Sequence, residues 1–346
     1  MSPYLPDTAL TALAVGKDVY TYAQTDEGVL VECRGQLKTV RGNQDIYSYQ
    51  FQNHVLARYE DDEVPDSAPK LFTPLAAACI GSTRYLFYVD DKNFIHGVQS
   101  RSTPWPEDTG LLQLHIPCAH YSQLTAITIS KNNFQAICLY YQTPNRDAAI
   151  ELLSYSTKNG RWVAGAPDMT PNPPPPAPPP RVVDPPLYGT SITAVPVRNG
   201  LHVIPQSSLP VVYLQWDTLA LCSFAGFSIE VETIRTLDLR FAPHTSLTTV
   251  DDGATLYCFY TSSQNNHIKM IAIKDGKASE PQTVATPTPR SAIAAVIPSR
   301  DRIVLFYQTL NFEAGKVELQ GMTFQRLATS STNPWPAAQA KSTHLG

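Results

Sequence analysis

Groups able to do chemistry are spread thinly along the chain, and their spacing excludes most chemistries before it admits any. The eight His and six Cys stand singly. With no C-x-x-C pair and no close Cys/His cluster, neither a zinc site nor a redox dithiol is expected, and Cys33, Cys79, Cys118, Cys138, Cys222 and Cys258 read as buried strand residues. No cofactor is indicated. The sequence holds no P-loop, G-x-G-x-x-G, G-x-S-x-G, H-E-x-x-H or EF-hand loop. Asp90-Asp91 and Asp251-Asp252 are paired carboxylates, but each sits where a turn is expected, and Asp there caps backbone groups. What remains is hydrogen bonding and stacking. Tyr20, Tyr85, His202 and Tyr257 head similar apolar runs, with Tyr213, Trp216, Phe259 and one carboxylate, Glu32, at related places. Tyr and His can donate to an oxygen on which charge develops, or deliver a proton. Trp and Phe supply apolar surface, and all of these side chains serve equally as ordinary core.

The runs that position them are strands. Ala136–Gln142 combines aromatic and β-branched residues, contains no Pro or Gly and exits into Thr143-Pro144. Five relatives accompany it: Tyr20–Gln24, Tyr85–Val89, His202–Gln206, Tyr257–Thr261 and Val304–Gln308. Each follows a segment of small apolar residues whose third position is Ala12, Ala77, Ala126, Ala194, Thr249 or Ala295. Small residues suit a crowded axis. The intervals run from roughly 45 to 70 residues, and the shorter ones match a four-stranded propeller blade of about 40–50 residues. Two insertions account for the longer ones. Gly42–Ser67, with its acidic turn Glu60-Asp61-Asp62-Glu63, reads as a lengthened outer hairpin or loop. Thr170–Pro186, TPNPPPPAPPPRVVDPP, is a polyproline II connector within an insertion over about 168–187, because consecutive prolines lock φ and remove backbone donors.

Helical periodicity is almost absent, and turns such as Lys158-Asn159-Gly160 and Asp251-Asp252-Gly253 recur. The expectation is an all-β chain folded as a six-bladed β-propeller, residues 1–346 as a single domain, with blade boundaries near 70, 122, 188, 243 and 290. The 346 residues are 43% hydrophobic and 16% charged with a formal charge of −4. That charge leaves no electrostatic footprint for nucleic acid or an anionic membrane. No apolar run reaches the roughly 18 residues of a membrane span, and the start Met1-Ser2-Pro3-Tyr4 lacks a leader's basic and apolar regions. A cytoplasmic protein is expected, or a secreted one if a leader was removed from this chain.

Small apolar inner strand, aromatic strand ending in Gln, third strand, then Trp and a Gly turn: this order resembles the fungal fucose-specific lectins of six-bladed propeller fold. Lys70–Ala77, Leu139–Gln142, Arg161–Ala166 and Pro334-Trp335 carry the resemblance most specifically. Those lectins hold fucose between blades with an Arg at the head of the aromatic strand and a Glu on the next strand. The Arg positions here are Tyr20, Tyr85, Cys138, His202, Tyr257 and Val304. The Glu positions are Glu32, Gly97, Leu152, Tyr213, Met270 and Leu319, and a one-residue shift would bring in Glu151 and Glu318. The resemblance therefore implies weak or absent fucose binding, with the first blade the place for any that remains.

The chain is also similar to the fungal hetero-Diels-Alderases, pericyclases that join a tropolone-type quinone methide to a sesquiterpene olefin. This likeness implies apolar small-molecule substrates and rate enhancement by positioning in a dry pocket. His202, Tyr257 and Tyr20 would polarise the heterodiene, and Tyr85, Trp216, Tyr213, Phe259 and Glu32 would line the substrate site. Neither nucleic acid nor a membrane span is implied, and a homo-oligomer is left open. The alternative is a degenerate fucose lectin or other carbohydrate-binding propeller.

Overall fold

The computed structural model describes residues 4–40, 44–57, 67–102, 104–131, 133–144, 149–165, 167, 187–195, 208–215, 218–225, 228–234, 245–274, 277–299, 302–311, 313, 315–325 and 341–345. At 36–40, 44–57, 131, 208–215, 218–225, 228–234, 277, 325 and 341–345 only the backbone is described.

Six antiparallel sheets follow one another along the chain. The first pairs β1 (Thr11–Val15), β2 (Asp18–Gln24), β3 (Leu30–Val40) and β4 (Gln44–Ala57) in order. The second is β5 (Ala76–Ile80), β6 (Thr83–Val89) and β7 (Ile95–Gln99), followed by a short helix α1 (Thr109–Leu112). The third is β8 (Thr125–Lys131), β9 (Phe134–Gln142), β10 (Ile150–Ser156) and β11 (Arg161–Ala164). The fourth is β12 (Ile192–Ala194), β13 (Ser208–Gln215), β14 (Thr218–Ala225) and β15 (Ser228–Ile234). The fifth is β16 (Leu247–Asp251), β17 (Leu256–Thr261), β18 (Ile268–Lys274) and β19 (Lys277–Ala278), with β20 (Gln282–Ala285) also on β18. The sixth is β21 (Ile293–Ser299), β22 (Arg302–Asn311), β23 (Lys316–Gln325) and β24 (Lys341–Leu345). The expected all-β, propeller-like architecture is present, each inner strand starting a few residues past the boundary read from the sequence. Two-residue hairpins at Gly16-Lys17 and Gly81-Ser82 join the first two strands of blades 1 and 2. In both, the Gly takes the positive φ that such a turn demands.

The inner strands meet around one axis: β1 lies against β5 and β21, β8 against β5 and β12, and β16 against β12 and β21. They line a central channel of about 790 Å³, which includes space open to solvent. Hydroxyls lace neighbours together there. The amides of Leu247 and Thr249 donate to Ser191 and Thr193, and those of Ile293 and Ala295 to Ser246 and Thr248.

A second repeat fixes five of the inner strands to the aromatic strand beside them. Thr8, Thr73, Ser122, Thr190, Thr245 and Ser291 each precede the small-residue position by four, and all are buried. In five blades the hydroxyl accepts an amide at or near the end of the second strand: Gln24, Val89, Gln142, Thr261 and Gln308, at 2.8–2.9 Å. The strand-ending glutamines then reach the next blade. Gln24 donates to Lys70 O and accepts from the Phe72 amide. Gln142 does the same with Leu187 O and the Gly189 amide. Gln308 donates to Leu5 O, joining the last blade to the first, but its Oε1 has no partner among the described residues.

Three expectations meet limits or corrections here. The first insertion is a long β3–β4 hairpin as far as Ala57, whereas Thr170–Pro186 lies outside the described residues. The second strand of blade 4 is β13, since Ile192, Thr193 and Ala194 pair with Tyr213, Val212 and Val211. His202–Gln206, chosen for its apolar run ending in Gln, also lies outside the described residues. Five cysteines, Cys33, Cys79, Cys118, Cys138 and Cys258, are described, and all are free thiols.

Candidate functional site

The sheet registers set equivalent positions side by side. In blade 1, Thr11 pairs with Tyr22 and Tyr22 with Glu32; two residues back on β2, Tyr20 pairs with Arg34. The same places in blade 2 are Phe87, Gly97 and Tyr85, and in blade 5 Phe259, Met270 and Tyr257. Register corrects two of the Glu positions. In blade 4, Tyr213 belongs to the second strand, and Leu221 on β14 takes the place; in blade 6 it is Gly321, opposite Phe306. The one-residue shift is also settled. Glu151 pairs with Tyr141 and accepts its hydroxyl at 3.3 Å, while Glu318 accepts from Asn311, so neither lies at the Glu32 position.

Glu32 has partners from two blades. The Tyr22 hydroxyl donates to its Oε2 at 2.7 Å. From β6 of blade 2, Arg84 donates Nε to Oε2 at 2.9 Å and Nη2 to Oε1 at 3.1 Å, a two-pronged ion pair across the blade boundary. Its guanidinium lies 4.1 Å from the Tyr20 ring centre and 5.3 Å from that of Trp105, so aromatic faces wall it as well. Trp105 in turn meets the Tyr22 ring edge-on at 6.1 Å. Nearer the surface, Arg34 donates Nε to Asp18 at 3.1 Å, and the Tyr20 hydroxyl reaches the same carboxylate at 3.4 Å. Glu32 is sealed at 1% exposure and Arg84 retains 18%, whereas Asp18 and Arg34 keep 24% and 31%. The result is a closed ion pair under an open polar rim.

Burial and environment tune these groups. The Tyr22 hydroxyl is held well above its usual pKa, first by burial and then by the Glu32 charge. Burial also raises Tyr20, against the opposing pull of the Arg84 and Arg34 charges. Arg84 stays charged: burial disfavours its cation, and the Glu32 hydrogen bonds together with the electrostatic pull of Glu32, Tyr22 and Tyr20 outweigh that.

Arg84 is the group that sequence reasoning missed. It stands one residue before Tyr85, and alternate strand residues face opposite sides, so it serves the preceding blade rather than its own. Strand parity was the available signal. Trp105 had no such signal, because Pro104-Trp105-Pro106 falls outside the repeat.

The other expected site residues are not gathered here. Tyr257 and Phe259 belong to the cluster between blades 5 and 6, and the Tyr257 hydroxyl donates to Asp252 at 3.3 Å. Tyr85 packs between blades 2 and 3, stacked with Phe87. At Gly97 a Cβ would come within 3.1 Å of Leu111 and the Phe87 ring, so the space that a side chain like Glu32 would need is filled. His202 and Trp216 lie outside the described residues, and Tyr213 is described only as backbone paired with Ile192 and Ala220. As expected, Asp90 and Asp252 serve turns, accepting amides of Phe94, and of Ala254 and Thr255. Among the described residues no group of three or more His, Cys, Asp or Glu could hold a metal ion. None of the described helices is long and apolar enough to cross a membrane.

No protein-family model matches the chain, and no curated protein sequence does. Solved structures do. AofleA from Arthrobotrys oligospora superposes with a TM-score of 0.67 at 14% identity, over 99% of this chain and 88% of that one. A mutant of the Aleuria aurantia lectin in complex with alpha-methyl-L-fucoside gives 0.67 at 18% identity, over 97% of this chain and 96% of that one. Another Aleuria aurantia lectin structure, described as a six-bladed beta-propeller with a novel fucose recognition mode, gives 0.65 at 17% identity over the same shares. At these identities the likeness shows the fold: the chain is built as a six-bladed β-propeller.

Proposed function

We propose that this propeller binds carbohydrate at the junction of blades 1 and 2. The observation that carries the reading is the Glu32–Arg84 pair walled by Tyr20 and Trp105. Hydroxyl-rich ligands need charged, two-pronged partners to replace their water, and the half-open Asp18–Arg34 pair beside the buried one offers such groups. The match over nearly the whole chain to the Aleuria aurantia lectin, solved with alpha-methyl-L-fucoside, supports the same class. Because Arg84 and Tyr22 already occupy Glu32, the ligand meets the rim formed by Asp18, Arg34, Tyr20 and the outer edge of Arg84. Free fucose then binds weakly, and a larger glycan that spans the rim binds better. A glycan array followed by calorimetry tests this. Binding that falls tenfold or more in Arg34→Ala supports the site, as expected for a lost hydrogen bond to a charged group of about 1.5–3 kcal/mol. An array with no specific glycan rejects the reading. The cycloaddition reading asks for a hydrogen-bond donor, with Tyr20, Tyr257 and His202 as candidates, set in an apolar pocket. Tyr20 and Tyr257 belong to different inter-blade clusters, and no described feature favours that chemistry over sugar binding.

A further inference from the structure

Trp105, one wall of the Arg84 pocket, is carried by a segment that runs along the outer edge of blade 2 and takes the place of a fourth strand. The Gln99 amide donates to Pro106 O at 3.0 Å and the Asp108 amide to Gly97 O at 2.7 Å, with a bridge between Val98 and Glu107. Two side chains tie this segment inward: Asp108, whose Oδ2 accepts from Trp162 Nε1 at 3.0 Å, and Glu107, which alone of the two meets a titratable ring. Glu107 Oε1 lies 2.9 Å from Nδ1 of His96 on β7, and the other ring nitrogen, Nε2, lies 3.0 Å from Asp90 Oδ2. His96 is 5% exposed, and its ring stacks on Tyr88 at 5.5 Å.

A neutral imidazole has one N–H donor, whereas this one faces a carboxylate oxygen at each nitrogen. Only the imidazolium donates to both. When it loses its proton, either Asp90 or Glu107 faces a lone pair. Glu107 is the partner free to turn away, because 28% of its side chain is exposed, whereas Asp90 is buried and fixed by the Phe94 amide. We propose that His96 is a pH-operated latch that holds the Pro104–Asp108 segment, and with it Trp105, against blade 2, so that ligand capture at the junction of blades 1 and 2 is strongest at mildly acidic pH. The link to ligand capture rests on the carbohydrate reading; the latch does not.

The surroundings set the sign. Burial disfavours the imidazolium, but the hydrogen bonds to Glu107 and Asp90 and their charges outweigh it, and the His96 pKa rises above 6.5. Lys70 acts on Asp90 from the chain entering blade 2, where its Nζ donates to Asn93 and to His120 O. Its neighbour Cys118 is pushed up to about 12 by burial and stays neutral. Exposed Asp91 adjoins Asp90 on the same turn, and Tyr88 covers the ring. A group whose folded pKa is raised contributes stability that is complete below the unfolded value and lost as pH rises through the folded value. The latch is therefore closed near pH 6 and open at alkaline pH.

Hydrogen exchange of the full chain without ligand tests it. After correction for intrinsic rates, protection of the Gln99 and Asp108 amides should fall between pH 6 and pH 9. The fall should be about tenfold for each unit by which His96 titrates above 6.5, while the Val89 amide, held by Thr73, stays unchanged. In His96→Gln the fall should vanish. An NMR titration of wild-type His96 tests the latch without a variant: a midpoint at or below 6.5 overturns it, as does protection at Gln99 and Asp108 that is independent of pH. A fluorine shift from 5-fluorotryptophan at position 105 should move with the same midpoint, and a shift that stays constant overturns the link to the site. Absence of glycan binding at every pH sinks the carbohydrate reading alone.

Discussion

Two junctions of this propeller solve the same packing problem with opposite chemistry. Between blades 5 and 6 the equivalent places hold Phe259, Met270 and, from the next blade, Ile303, closed by Phe324, whose ring lies 6.2 Å from that of Phe259. Between blades 1 and 2 they hold Tyr22, Glu32 and Arg84 under Trp105. The backbone registers are the same in kind, so the scaffold does not require an ion pair there. Apolar residues fill the same space at blades 2 and 3 with Gly97 and Ile137, and at blades 6 and 1 with Gly321 and Val19. A buried ion pair is weak evidence for stability, since desolvation cancels much of its attraction. Its presence at this junction and its absence from the three others whose side chains are described point to specificity or binding rather than to holding the blades together.

The sharpest way to break this contrast is to remove one charge. Arg84→Ala leaves Glu32 buried without its guanidinium and should cost about 3–5 kcal/mol, read as a lower urea midpoint at unchanged slope. Exchanging both residues for the apolar solution, Glu32→Met with Arg84→Ile, should return the midpoint to within about 1 kcal/mol of the parent or above it. A double variant as unstable as the single one would mean that the junction needs the pair. Removing the Tyr22 hydroxyl is milder. Tyr22→Phe deletes one hydrogen bond to the carboxylate and should cost about 1.5–3 kcal/mol. At the rim, Arg34→Ala should change stability by less than about 1 kcal/mol in the same urea titration, because its pair with Asp18 is open to solvent. Glycan binding, by contrast, should drop in Arg34→Ala, which separates the rim's role in recognition from the core's role in folding.

The fold was legible because each blade repeats a small segment and an aromatic strand, and period-two patterning survives insertions between them. Five of the six aromatic strands lie where the pattern put them. Blade 4 did not, because two apolar runs compete there and each contains a Pro, Pro205 in one and Pro210 in the other, so composition could not choose between them. The hydroxyl repeat from Thr8 to Ser291 was equally readable and went unnoticed, since Ser and Thr ahead of a strand look like ordinary loop residues. At the site, Glu32 could be found from its strand position. Its partner could not be found by comparing each blade with itself, because a strand residue and its neighbour face different blades. Trp105 depends on a segment outside any repeat, and no periodicity announces it.

Each sheet is built from consecutive strands: β1 opens the first and β24 ends the last, so among the described residues no strand is shared between the first blade and the last. The seam there is described by side chains, with Gln308 donating to Leu5 O and the apolar cluster of Leu10, Val19, Val304 and Phe306. In terms of chain connectivity, the order of the blades around the axis matters and the starting blade does not. Joining the ends and cutting ahead of Lys70 would give a circular permutant with the same six sheets. Its new seam would pass through the Glu32–Arg84 junction.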